Sequence, residues 1–526
     1  MNGTLILTLL SAALGYLLIS LCLKFYKGAT RFRSRHLPPG PPPLPITGNL
    51  FDIPKTRPWI GYRELSNEYG NLMLFRIFNQ CLVIVNDAET AVDLLEKRSA
   101  KYSSRPSSVL TKLAGWEWNM AFFPYGWSWR HHRRVVWKHY QPDAIPRYYD
   151  AQTQAARRLL ALFISTPHNI SENIRYGVGA AIVTTTYGLD VGGDLSDKYL
   201  SAFETGVKSI QLFLSGTSIL EFLPTLSYIP PWVPGAGYLR KLVEIRRATL
   251  RLRDLPWRDA RDAVLSGRAN GRESVVRAMM EDYACVKDKA RYSFEEEAAK
   301  NVAAVSYAGT VFLLLEPFSG IDTTHGVLCN FCVAMSLYPE VQKKAQAELD
   351  AVIGQHRFPE FSDRENLPYI NAIVKEIFRW NPVTPLGLAR LTTSDDHYNG
   401  YFIPGGSIVM VNTWYVHSVP YTATSDPILV AWSILNDPQV YPDPDKFIPQ
   451  RFLKDGKLNP AIRDPVAYLF GFGRRLRPCS IRSISDRLST ITVYQFTLSR
   501  GVVADWYRIS KTVAARYRLG LQRQKP

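Results

Sequence analysis

The chain has 526 residues, 46% of them hydrophobic, and 63 Lys and Arg against 46 Asp and Glu give it a formal net charge of +17. Length alone does not fix the domain count, but it provides for a sizeable core. The six cysteines, Cys22, Cys81, Cys285, Cys329, Cys332 and Cys479, show no paired spacing, which excludes a disulfide framework and points to a reducing compartment. Twelve Lys or Arg against two Asp fall between Gly471 and Pro526, so about ten of the seventeen charges belong to the tail. The remainder suits a face near anionic lipid, and no aromatic-interleaved basic motif argues for nucleic acid.

From the N-terminus, Leu5 to Leu23 is almost wholly apolar, and nineteen residues at about 1.5 Å each reach roughly 28 Å, close to one bilayer core. Lys24, Lys27, Arg31, Arg33 and Arg35 follow, so the positive-inside rule places the rest of the chain in the cytosol. A cleaved signal peptide is disfavoured, because no basic region precedes the apolar run and no small-residue cleavage site follows it. This divides the chain into an anchor at 1–27, a basic and proline-rich linker at 28–50, and a single domain at 51–526. Leu37 to Pro45 carries six prolines and reads as a stiff spacer. Leu72 to Val85 alternates around Asn79-Gln80 as a β-hairpin, and Asp87 caps a helix running to about Lys97. Helical periodicity then dominates, over roughly 142–165, 195–215, 237–265, 293–337 and 339–352. The expected fold is mainly α with a minor β part.

Several patterns carry chemistry. Trp129 and Arg133 are one helical turn apart in Trp129-Arg130-His131-His132-Arg133. Glu376 and Arg379 share a helix face at i, i+3, and Pro449-Gln450-Arg451-Phe452 follows downstream. Ser319-Gly320-Ile321-Asp322-Thr323-Thr324 pairs an acid with an alcohol; standing alone it would be an ordinary helix N-cap. Phe470-Gly471-Phe472-Gly473-Arg474-Arg475-Leu476-Arg477-Pro478-Cys479 ends on a cysteine.

In this order the motifs resemble the microsomal cytochromes P-450, most closely the fungal enzymes of secondary metabolism and xenobiotic oxidation, over about residues 37–479. The resemblance implies the cytochrome P-450 fold as one catalytic domain behind a transmembrane helix. It also implies heme, electrons from NADPH through a membrane-bound reductase, and insertion of one oxygen atom of O2 into a lipophilic small molecule. Glu376, Arg379 and Arg451 would form a structural ion network. Trp129, Arg133, Arg390 and Arg475 would hold heme propionates. Asp322 and Thr323 would relay protons. Such an enzyme sits in the endoplasmic reticulum membrane as a single-pass protein. Trp116, Trp118, Phe122, Phe123 and Tyr125 fall where the family's first substrate loop would be, and read equally well as pocket lining or core.

Three departures accompany the resemblance. Removing Thr310 to Ser319 would join Tyr307-Ala308-Gly309 to Gly320-Ile321-Asp322, and removing Tyr415 to Trp432 would join Thr413-Trp414 to Ser433-Ile434. Each deletion restores the family pattern, so both segments read as translated introns or gene-model errors. The third departure is the loop: the family's thiolate, whose electron density is pushed onto iron, stands at the eighth position, which here is Arg477. A guanidinium has no lone pair to offer, and Cys479 lies two residues further on. Cys479 is the expected metal ligand, and the alternative is a catalytically inactive or heme-deficient membrane protein.

Overall fold

The computed structural model describes residues 35–55, 58–190, 198–199, 206, 219–222, 224–230, 232–233, 237–268, 273–310, 323–354, 356–380, 386, 388–412, 435, 439–469 and 472–475. The expected anchor, Asp322, Cys479, the interrupting segments apart from Thr310, and the tail after 475 lie outside them, as does most of the helix expected at 195–215. Among the described residues no helix is long and apolar enough to cross a membrane. The chain groups into two compact units: residues 1–106, 385–434 and 472–474 form the first, and 107–384, 435–471 and 475–526 the second.

The first unit is built on a four-stranded sheet. The hairpin forms as its alternation requires, with β1 (Leu72–Ile77) antiparallel to β2 (Gln80–Val85) and Phe75 opposite Leu82. A type of turn that needs positive φ closes it, and Phe78 takes φ 51°. In the same unit β3 (Arg390–Leu391), the hairpin of β4 (Asp396–Tyr398) and β5 (Tyr401–Ile403), and β6 (Ile408–Val411) follow. The sheet order is β1-β2-β6-β3, with β2 and β6 parallel and β3 antiparallel to β6. Helix α1 (Pro58–Tyr69) precedes the sheet. Asp87 caps the next helix as expected, its carboxylate accepting from the Thr90 amide at 2.7 Å. That helix is regular only over Ala88–Val92 and widens into a π turn over Asp93–Lys97. The proline-rich segment does not stand free of the unit: Pro39 accepts from the Leu74 amide at 2.9 Å, and Gly40 meets the Leu74 carbonyl where a side chain would have to go.

The second unit is helical: α2 (Trp127–Tyr140), α3 (Tyr149–Ser165), α4 (Ile170–Tyr187), α5 (Gly237–Leu265), α6 (Val275–Ala284), α7 (Lys289–Thr310), α8 (Thr323–Leu337), α9 (Pro339–Val352) and α10 (Pro368–Trp380). Helices α5 and α9 have the ends that periodicity predicts. Helix α3 starts later than expected, because Ile145–Tyr148 forms a separate 3-10 turn around Pro146, which has no amide hydrogen to continue an α-helix inward. The long helix expected over 293–337 is described as α7 up to Thr310 and α8 from Thr323. Helix α4 is the most enclosed, with Ile174, Val178, Ala181 and Val183 all buried, and α7 packs a run of small residues, Ala298, Ala299, Ala303 and Ala304, that allows close helix approach.

Helix α8 is fastened to α4 by a buried histidine. His325 Nε2 lies 3.0 Å from the Ser171 carbonyl and 3.2 Å from its hydroxyl. Burial, with Arg175 adding to it and the Ser171 carbonyl opposing it, pulls the imidazole pKa down to about 4. The unfolded chain therefore binds the proton first as pH falls below about 6.5. Stability should be constant above that pH and decline by about 3 kcal/mol towards pH 4. Urea denaturation of the wild type and of His325→Gln across this range checks it: the slope between pH 6.5 and 4 should shrink in the variant.

Candidate active site

The described part of the second unit is organised around one carboxylate. Glu376 and Arg379, on α10, are both wholly inaccessible to solvent. Arg379 grips Glu376 with two parallel bonds, Nε to Oε2 at 2.7 Å and Nη2 to Oε1 at 2.9 Å. The same Oε1 accepts from Arg451 Nε at 3.2 Å and from the Ile448 amide at 2.8 Å. Further guanidinium hydrogens go to backbone carbonyls: Arg379 to Leu435 and Lys446, Arg451 to Pro442 and Asp443. The Tyr441 ring lies under Arg379 at 5.5 Å. Two cations therefore share one anion, and backbone carbonyls accept further bonds from both. Burial lowers the Arg451 pKa, with Glu376 opposing that shift. The arrangement holds the irregular segment around 435–452 to a helix that cannot move without breaking it. Its role is architectural, since no atom of it is open to a reactant.

Trp129, Arg133 and Arg475, all in the second unit, come together. Arg133 lies 5.1 Å and Arg475 4.5 Å from the centre of the Trp129 ring. Arg475 is buried and donates from Nη2 to the Phe123 carbonyl at 2.6 Å. Beside them His132 is buried, hydrogen-bonds the Ser128 carbonyl at 2.9 Å and meets Phe123 edge-on. Burial pushes its pKa down. His131 instead sits over Trp127 and pairs with Glu295 at 3.0 Å. Both histidines are accounted for by packing and hydrogen bonding.

Arg390 belongs to the first unit, on β3. It is buried, and its partners among the described residues are two carbonyls, Phe472 at 2.8 Å and Tyr102 at 3.5 Å. No described carboxylate meets it. Burial first, and then the like charge of Arg105, pull its pKa down to about 9. Arg105 donates to the Leu388 and Ala389 carbonyls at 2.7 and 2.6 Å, and burial pulls its pKa down to about 10. Sequence reading missed Arg105, because a cation in a polar loop carries no periodic signal of burial. The like charge of Arg105 raises the energy of the buried Arg390 guanidinium, and a carboxylate-bearing group would relieve it. The donor set in this unit thus fits the propionates of a heme.

Only the start of the loop is described. Phe472 is buried, and Gly473 takes φ 52° with the Leu95 carbonyl and Ser99 standing where a Cβ would have to go, so no side chain fits there. Gly473 to Arg475 make one 3-10 turn. Thr323 opens α8, while Asp322, Arg477 and Cys479 lie outside the described residues. In the substrate-loop candidates, Trp116 and Trp118 are buried and stacked at 5.3 Å, which favours core packing for that pair; Phe122, Phe123 and Tyr125 are half-buried.

Comparison with known proteins shows the family to which the chain belongs. The family model for cytochrome P-450 matches residues 38–421 and 425–476. Its break falls inside Tyr415 to Trp432, and it stops one residue before Arg477. Cytochrome P-450 monooxygenase COX2 of Coprinopsis cinerea is 37% identical over 466 residues, spanning 88% of this chain and 82% of that protein. Cytochrome P-450 monooxygenase ple1 of Rhodocybe pseudopiperita is 35% identical over 475 residues, 90% of this chain and 83% of its own. Tryptamine 4-monooxygenase of Psilocybe cyanescens is 34% identical over 472 residues, 88% and 86%.

Replacing Glu376 by Gln would leave two buried guanidiniums facing a neutral amide. Loss of a buried ion partner costs about 3 to 5 kcal/mol. Urea denaturation should show Glu376→Gln destabilised by that amount, against less than about 1 kcal/mol for the exposed pair partner in Glu281→Gln.

Proposed function

The chain belongs to the cytochrome P-450 family, and from that membership we propose that it is a heme-dependent monooxygenase of lipophilic small molecules, serving secondary metabolism or xenobiotic oxidation. The observation that carries the reading is the buried Arg390 beside Arg105 without a described carboxylate, which calls for an anionic group. Arg390 and Arg105 would hold a propionate in the first unit, and Arg475, Arg133 and Trp129 supply cationic and N–H donors in the second. Heme, when bound, supplies the oxygen chemistry; the chain supplies orientation, dryness and protons. Asp322 and Thr323 would pass protons at the start of α8, and Cys479 would be the iron ligand. Electrons would come from NADPH through a reductase. The apolar run at 5–23 supports a single-pass anchor in the endoplasmic reticulum membrane with the domain in the cytosol.

A second reading has its own support. Arg477 occupies the ligand position, and the family match ends at 476. Moving a ligand by two extended residues shifts it about 6 to 7 Å, whereas metal-ligand distances hold to within about 0.2 Å. On this reading the chain is an inactive product of a damaged or misread gene, and the working enzyme comes from a message without 310–319 and 415–432.

The reduced, CO-bound absorbance spectrum separates the two. A thiolate-type Soret band from the full chain supports Cys479 as ligand and the enzyme reading. A band of that type only after Arg477→Cys with Cys479→Gly supports an intact scaffold with a damaged loop, and sequencing the mature transcript then tests the two segments. No heme uptake by either protein contradicts the proposed cofactor.

A further inference from the structure

Helix α8 carries a pair of soft ligand atoms that the monooxygenase reading leaves unused. His325 and Cys329 stand four residues apart, so one face of the helix presents both. The Cys329 sulfur lies 3.5 Å from Nε2 and 3.9 Å from Nδ1 of that imidazole. His325 is buried while Cys329 is half-buried, which leaves the sulfur reachable from solvent.

The ring is anchored on its far side. The Ser171 carbonyl on α4, 3.0 Å from Nε2, can only accept, so Nε2 carries the hydrogen and Nδ1 keeps its lone pair. The Ser171 hydroxyl stands 3.2 Å from the same nitrogen. Donation of one ring N–H to a backbone carbonyl is how ligating histidines are commonly oriented. Burial also holds the imidazole neutral above about pH 4, the form in which it can ligate.

Magnitude decides whether one ion can bridge the two residues. With metal-nitrogen and metal-sulfur bonds of about 2.0 and 2.3 Å, the 3.9 Å separation of Nδ1 and Sγ sets an angle of roughly 130° at the ion. That angle is near trigonal, and the third position is left to the solvent that reaches Cys329. Charge then chooses among ions. Arg175, one turn along α4 from Ser171, acts on His325 as a like charge, so a site with net positive charge is disfavoured there. A monovalent ion on a thiolate leaves the pair neutral, whereas a divalent ion does not. Thiolate ligands likewise select copper(I) over hard cations. Cys332, one turn further on, is buried, and burial pushes its thiol pKa well up, which keeps it out of the ligand set.

We propose that His325 Nδ1 and Cys329 Sγ form a binding site for a monovalent thiophilic cation, copper(I) being the ion that suits a reducing compartment. Binding replaces the Cys329 thiol hydrogen, so one proton leaves per ion and no electron moves. The site is independent of the heme and of the loop at 477–479.

Titration of copper(I) into the reduced full-length chain under argon, in competition with bicinchoninate, tests it. The wild type should withhold one ion that Cys329→Ser and His325→Gln each hold about 100-fold more weakly, since loss of an outer-shell partner alone costs about 10- to 100-fold. Copper K-edge absorption of the one-to-one complex should show one sulfur and one imidazole nitrogen in the first shell. Circular dichroism of the metal-free variants reads folding separately, and Cys329→Ser, which keeps the side-chain volume, decides the case if His325→Gln does not fold. Equal withholding by the wild type and Cys329→Ser, or no ion withheld by the wild type, would overturn the proposal. A first shell of sulfur alone would assign the ion to other thiols of the chain and overturn it equally.

Discussion

A single buried carboxylate governs the described second unit. Glu376 accepts from two arginines and one amide, and each arginine extends the network to backbone carbonyls between Leu435 and Lys446. Among the described residues of that stretch, 435 and 439–446, none lies in a helix or strand, so their backbone groups depend on side chains for partners. A salt bridge of this kind adds little net stability compared with an apolar core, because both charges lose their water. What it does provide is a unique answer: only one chain path places Ile448, Arg451 and Arg379 around the same two oxygens. The conformational specificity of the irregular segment rests there.

The first unit poses the opposite electrostatic problem. Arg390 is a buried cation whose pKa falls through its own burial and the like charge of the half-buried Arg105, and the carbonyls that accept from the two guanidiniums compensate them. A protein tolerates a buried cation of this kind where a further group is meant to bind. The fit to a heme follows from charge, and it is independent of the thiolate loop. The scaffold and the ligand loop therefore carry separate information: family match, fold and buried cations agree up to residue 476, and the departure at Arg477 comes just after.

Much of this was legible in the chain. Period-two alternation located the hairpin of β1 and β2, a single aspartate located the helix after it, and apolar spacing set both ends of α5 and α9. Glu376, Arg379 and Arg451 were legible as a set because resemblance supplied their order; spacing alone would have left a surface pair. Other features had no local signal. The bonds of Arg105 to the Leu388 and Ala389 carbonyls, the His325 link to Ser171 and the crowding at Gly473 arise from contacts with residues far away in sequence. The late start of α3 came from a proline in a short turn that periodicity averages over. The proline-rich segment, read as a stiff spacer, is tied to β1 where Pro39 offers a carbonyl to the Leu74 amide.

The central claim is that these cations form a cofactor site, and titration of hemin into the purified full-length apoprotein tests it most directly. The account predicts one equivalent bound, with affinity reduced about tenfold to a hundredfold in Arg390→Leu through loss of charge-assisted hydrogen bonds. Equal, saturable binding by the wild type and Arg390→Leu, or no specific binding by either, would contradict it.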